Sequence, residues 1–151
     1  MKRTHSIPGA LDEALDGIDG SGTAEVERAG GRAHVDVEDV DRLGVRVRRV
    51  RVERDADWDI QERADALPDR LRTLPERVKA QEVAPELGGA ILRTDPEAYD
   101  GERYFEVEVG KRAAEVRRVR VEAAGAERTR SADDWTLTRE QLGRLLDELD
   151  G

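Results

Sequence analysis

"VRRVRVE" stands at Val47–Glu53 and again at Val116–Glu122, and the reading of that heptapeptide decides the fold. Val45 and Val47 share one strand parity, whereas Val50 and Val52 fall on the other, so the apolar face changes sides at Arg48-Arg49. In the second copy Ala114 and Val116 are followed by Val119 and Val121, with the change at Arg117-Arg118. A regular strand over a one-sided core keeps its apolar residues on one parity. Two solutions remain. Either a β-bulge absorbs one residue at each Arg-Arg pair, or the strand is long and serves a different core at each end. The bulge is the preferred reading.

The likeness extends outward from the heptapeptides. "GRAHVDV" (Gly31–Val37) corresponds to "GERYFEVEV" (Gly101–Val109), each alternating as a half-buried strand does. "GSGTAEVE" (Gly20–Glu27) parallels "GGAILRT" (Gly88–Thr94), and Asp57-Trp58-Asp59-Ile60 parallels Asp134-Trp135-Thr136-Leu137 after eight extra residues. The pattern predicts an internal repeat over 20–60 and 88–137 within a single domain, 1–151. The expected fold is α+β: an antiparallel sheet of about six strands built from two duplicated βββ units, with helices on one face, in the order α-βββ-α-βββ-α.

The helices are signalled unequally. Thr138 and Gln141 form a capping box, Leu137 and Leu142 a hydrophobic staple, and Leu142, Leu145, Leu146 and Leu149 an apolar stripe. Near the start, Ile7, Leu11, Ala14, Leu15 and Ile18 predict a helix over about Pro8–Asp16 that stops at Gly17. The middle stripe of Ala64, Leu67, Leu71, Leu74 and Val78 is interrupted by Pro68 and Pro75, each expected to begin a new short helical piece. Residues 1–6 are expected to be disordered or loosely held.

Composition bounds the chemistry. The chain has 151 residues and a net charge of −9, with 40% charged residues of both signs and no cysteine, which excludes disulfides and thiol catalysis. Leu, Ile, Val and Phe number 33, enough for a thin core. No apolar run has the length of a secretory leader or a membrane span, so a cytoplasmic location is expected. Arginine outnumbers lysine 23 to 3, which reads first as genomic base composition.

Arginine-rich strands suggest nucleic acid, yet the charges match internally. Residues 42–54 hold six arginines and one glutamate, while residues 34–41 hold four carboxylates and no Lys or Arg. In a hairpin the arginines would face Asp36 and Glu38, and in the second unit Glu106 and Glu108, as cross-strand ion pairs. Nucleic-acid surfaces need unmatched positive charge and, for single strands, aromatic platforms. Only five aromatic residues exist. Nucleic acid is therefore not the expected partner.

Other chemistry is sparse. His34 lies on the polar parity beside Asp36 and reads as an exposed strand residue, and His5 falls in the opening segment. Asp55, Asp57 and Asp59 have the spacing of a calcium loop's first ligands, but Ile60 and Ala66 stand where its glycine and glutamate belong. The glycine pairs Gly30-Gly31 and Gly88-Gly89 precede strands, not the helix a phosphate loop requires. No cofactor or metal is expected. Trp58 and Trp135 read as pins between helix and sheet, with a paired ligand platform as the sharper alternative.

The best functional reading is a non-enzymatic cytoplasmic protein-interaction or adaptor domain, with a protein partner or a second copy as its target. An acidic chain with this order of elements is similar in topology to bacterial secretion chaperones, a likeness of arrangement that no motif carries. The alternative is a domain binding a small anionic ligand or polyanion through the Arg strands. Candidate surface residues are Arg46, Arg48, Arg49, Arg51, Arg117, Arg118, Arg120, Trp58 and Trp135.

Overall fold

A computed structural model describes residues 9–95 and 102–151. The elements in chain order are α1 (Ala10–Asp16), β1 (Gly22–Arg28), β2 (Gly31–Val40), β3 (Gly44–Arg54), α2 (Ile60–Arg70), β4 (Lys79–Ala84) and β5 (Gly89–Arg93). Then follow β6 (Glu102–Gly110), β7 (Ala113–Ala124), β8 (Glu127–Asp133), β9 (Trp135–Thr138) and α3 (Arg139–Asp150). A single 3-10 turn, Pro85–Leu87, joins β4 to β5. The fold is α+β; the described residues form three helices and one antiparallel sheet of nine strands ordered β1-β2-β3-β7-β6-β5-β4, with β8 pairing with β7 and β9 with β3.

Nine strands replace the expected six or so, and each extra strand has a local cause. β8 comes from the segment that lengthens the second sequence unit, and β9 begins at Trp135, which sequence reading placed at a strand-to-helix junction. β4 begins directly after Val78, the last residue of the central apolar stripe. Pro68 sits inside the last turn of α2, two residues before its end at Arg70, and Pro75 lies in a non-helical stretch, so neither proline starts a helical piece. Past Pro75 the chain finds a partner in β5, with Lys79 opposite Arg93, and strand pairing overrides the helical period. The apolar stripe stays buried although the helix ends at Arg70: Ala64 and Leu67 within α2 and Leu71, Leu74 and Val78 beyond it are all buried.

The two heptapeptides meet the parity problem differently. On β3 the pairing passes from Asp36↔Arg49 to Val37↔Val47, leaving Arg48 without a partner, and then skips Glu38 on β2 before Asp39↔Arg46. The extra residue at Arg48 is a bulge, and the skipped Glu38 restores the register. Val45, Val47, Val50 and Val52 consequently share one face and are fully buried in the main core. On β7 the pairing with β6 runs unbroken from Ala114↔Val109 to Val121↔Glu102. Ala114 and Val116 therefore enter the main core, whereas Val119 and Val121 lie on the opposite face in a small cluster with Tyr104. The bulge expected there is absent. β7 is the long strand serving two cores.

β3 and β7 pair only through Arg49–Glu53 and Ala113–Arg117, then diverge. Into this fork come β9, paired to Gly44–Val47 of β3, and β8, paired to Arg118–Ala124 of β7. The main core lies on one face. There the strand valines join Leu15 of α1, Ile60, Ala64 and Leu67 of α2, and Leu142, Leu145, Leu146 and Leu149 of α3. α3 starts as its sequence predicts: Thr138 accepts from Gln141 N at 3.0 Å and the Gln141 side chain accepts from Thr138 N at 2.9 Å. α1 ends at Gly17 as expected. Ile7, His5 and the opening segment 1–6 lie outside the described residues.

Three substitutions test this packing. Val50 and Val119 hold the same place in the heptapeptide, yet Val50→Ala should cost about 2–3 kcal/mol and Val119→Ala no more than about half of that, because only the first opens a cavity in the main core. Gly31 permits β2 to pass β3: a Cβ there would stand 1.9 Å from the Glu53 carbonyl oxygen, a backbone atom that cannot swing away. Gly31→Ala should therefore destabilise by about 3 kcal/mol. Urea unfolding of the three variants measures all of these differences.

Candidate functional site

Strand alternation puts a layer of charge on the face opposite the main core. Every candidate arginine is held by a carboxylate, including Arg118 and Arg120, which share the parity of the core residue Val116 and so lie on the other face. Arg49 meets Asp36 at 3.0 Å, and Arg51 meets Glu53 at 3.1 Å and Glu115 at 3.0 Å. At the fork, Arg48 meets Glu38 at 3.0 Å and Asp134 at 3.4 Å, while Arg46 lies 3.8 Å from Asp134. On β7, Arg117 meets Glu106 at 3.2 Å and Glu108 at 3.5 Å, Arg118 meets Asp133 at 3.3 Å, and Arg120 meets Glu122 at 3.2 Å. The cross-strand partners read from sequence are present, and Asp133 and Asp134 add a pair of carboxylates in the crotch of the fork.

The tryptophans have different jobs. Trp135 is a core residue, 7% exposed, packed edge-to-face on Phe105 with ring centroids 5.2 Å apart. Trp58 is half-buried ahead of α2, donates from Nε1 to the Gly110 carbonyl, and carries the Arg63 guanidinium 4.4 Å from its ring centre. It ties the β6–β7 hairpin to the start of α2. With one ring in the core and the other at a hairpin, the two form no common platform.

The acidic positions are likewise committed to structure. Asp59 caps α2 by accepting from Glu62 N at 3.0 Å, Asp57 binds Arg112 at 2.6 Å, and Asp55 lies 3.4 Å from Arg32. Among the described residues no group of three or more His, Cys, Asp or Glu side chains is placed to hold a metal ion. His34 stands 3.6 Å from Glu53.

Two ionic centres escaped the sequence reading. Asp150, almost fully buried at the end of α3, accepts from Arg28 at 3.2 Å and Arg54 at 2.8 Å; Arg28 also binds Asp147, and Arg63 donates to the Leu149 carbonyl. These arginines lie where the helix dipole is negative, and they fasten α3 to β1 and β3. Glu106 is the second centre. Its side chain is 4% exposed and three guanidinium groups converge on it: Arg93 at 3.1 Å, Arg117 at 3.2 Å and Arg130 at 2.7 Å. Sequence reading named Glu106 and Arg117 but not Arg93 or Arg130, because β5 and β8 become its neighbours only through sheet pairing.

The open face also carries a cavity of about 380 Å³ at one end of the sheet. Its lining includes Leu87, Gly88, Gly89, Ile91 and Ala113, with the carboxylates of Glu82, Glu108 and Glu115 and the guanidinium of Arg51. Leu87 on its rim is 81% exposed. Gly88 adopts φ +82°, which lets the 3-10 turn close before β5 and leaves Leu87 projecting.

Fold and site thus define an α+β protein with an open charged sheet face. No protein family, curated protein or solved structure matches the chain. No described helix is long and apolar enough to cross a membrane.

Burial pushes the Glu106 carboxyl up, but the Arg117 hydrogen bond and the charges of Arg93, Arg117 and Arg130 outweigh it and hold it below the usual glutamate range. A lowered folded value contributes stability that is present above the unfolded pKa and is lost as pH falls through the folded one. Glu106→Gln should destabilise by about 1–3 kcal/mol at neutral pH, less than for a fully buried pair because the arginines can turn to water. The deficit should shrink as pH falls below the ordinary glutamate range, where the folded-state carboxylate at last takes a proton. Urea midpoints across that range measure it, and a deficit that does not change with pH would show that the carboxylate's charge is not what matters.

Proposed function

We propose that this chain is a non-enzymatic protein-interaction domain acting in the cytoplasm, and that it binds through the cavity beside Leu87. The observation that carries the reading is Leu87 itself, an apolar side chain 81% exposed at the mouth of a ready-formed cavity. An apolar side chain held out beside a concavity offers a partner surface to bury together with the cavity wall. The rim supplies the selectivity. Glu82, Glu108 and Glu115 outnumber Arg51, and the whole chain is net −9, which favours a partner segment that pairs an apolar side chain with lysine or arginine.

An anionic ligand seated on the Arg strands has less support, since Arg46, Arg48, Arg49, Arg51, Arg117, Arg118 and Arg120 each already have a carboxylate partner. We also read the meanders β1–β2–β3 and β5–β6–β7 as duplicated units with the helices over one face. Their meeting at β3 and β7, where Arg49 lies opposite Arg117 of the second heptapeptide, supports that origin.

Selection of displayed random peptides on the full chain tests the binding reading. Enriched peptides should place Lys or Arg beside Leu, Ile or Phe, and synthetic versions should bind Leu87→Ser at least about tenfold more weakly, near 1.4 kcal/mol. Peptides that bind Leu87→Ser as well as the unaltered chain would refute it. Sedimentation equilibrium on the free chain distinguishes a second copy as the occupant: self-association that Leu87→Ser abolishes makes the partner this protein itself.

A further inference from the structure

A second concavity, about 390 Å³, opens on the same face at the other end of β6, and its chemistry is opposite to that of the Leu87 cavity. Arg93 from β5, Arg128 and Arg130 from β8, Tyr104, Val121, Thr94 and Asp95 are among its lining residues. Arg93 and Arg130 flank Tyr104, with guanidinium carbons 5.5 and 5.6 Å from the ring centre. The same two arginines end on a single acceptor, Glu106 Oε2, at 3.1 and 2.7 Å, while Arg117 takes the other oxygen at 3.2 Å. Three cations therefore converge on one carboxylate, a local excess of positive charge in an acidic protein. Among the described residues Glu108 draws only on Arg117, which is not among the residues lining the pocket, and Asp95 is bound by Lys79 at 3.0 Å.

We infer that this pocket is a binding site for a phosphate monoester, held between Arg93 and Arg130. Each guanidinium has five N–H donors in a planar fork, and each of these two spends only one on Glu106, which leaves donors for a tetrahedral oxyanion. Their side chains are 34% and 50% exposed, so the donors are reachable. Glu106 and the Tyr104 ring hold the two forks in place before a ligand arrives, which reduces the ordering cost of binding. A phosphate monoester brings a charge of about −1.5 to −2 on one group, the match for an excess spread over two forks, whereas a single carboxylate brings half as much. Tyr104 and Val121 offer an apolar wall to the body of the ester. The site is independent of the Leu87 cavity and of its proposed partner.

Calorimetric titration of the full chain at low ionic strength with inorganic phosphate, phenyl phosphate and succinate tests this assignment. Phenyl phosphate should saturate a single site and bind more tightly than phosphate, and both affinities should fall as salt is raised. Arg93→Gln and Arg130→Gln should each weaken phenyl phosphate about tenfold, and Asp95→Asn should strengthen it about threefold by removing a repelling carboxylate. Arg48→Gln, at the fork, should leave it unchanged. Asp95→Asn keeps the test open if loss of a Glu106 partner impairs folding, since a gain of affinity cannot come from a damaged fold. The assignment is overturned by the absence of saturable binding, by an Arg48→Gln effect equal to that of Arg93→Gln, by no gain in Asp95→Asn, or by succinate binding as tightly as the phosphates.

Discussion

One unpaired residue in β3, Arg48, governs the arrangement of the rest. Without the bulge, Val50 and Val52 would face away from Val45 and Val47, and β3 could not contribute four fully buried valines to one core. With it, the β3 valines join the α3 leucines in one core. The neighbouring edge then divides at the bulge, the upper half pairing with β7 and the lower half with β9. The fork between β3 and β7, the seat of β8 and β9, and the position of α3 directly after β9 all follow from where that division falls.

The same point organises the charges. A chain with 40% charged residues has to place them without stranding any in the core. Asp133 and Asp134 lie in the fork and pair with Arg46 and Arg48 of β3, Arg118 of β7 and Arg103 of β6. Exposed pairs of this kind contribute little each, about 0.2–1 kcal/mol, and act mainly to keep arginine-rich strands compatible with their neighbours. Glu106 and Asp150 are different because they are buried and shared among several arginines; they lock β5, β7 and β8 together and fasten the end of α3. Function is then best sought where the matching is incomplete. The acidic rim beside Leu87 and the arginine excess around Glu106 are two such places, at opposite ends of one sheet face.

Residues whose role depends on near neighbours in sequence were legible. The capping box of Thr138 and Gln141, the leucine stripe of α3, the alternation of β2 and β6, and the pairing of arginines with Asp36, Glu38, Glu106 and Glu108 are all short-range patterns, set by backbone periodicity and hairpin geometry. The change of parity at both Arg-Arg pairs was also visible. Its resolution was not, because the same seven residues make a bulge in β3 and an unbroken strand in β7.

That difference marks the boundary between the two kinds of information. By itself the sequence determined an α+β chain with arginine strands balanced by carboxylates and a well-capped last helix, since hydrophobic period, capping and charge alternation act over a few residues. Only the tertiary structure decided that Val119 leaves the main core while Val50 enters it, that Trp135 is buried and Trp58 half-exposed, and that Arg93 and Arg130 converge on Glu106. The reason is that strand pairing joins segments far apart in the chain. A side chain's surroundings in a nine-stranded sheet depend on which strands lie beside it, and local sequence does not encode that choice.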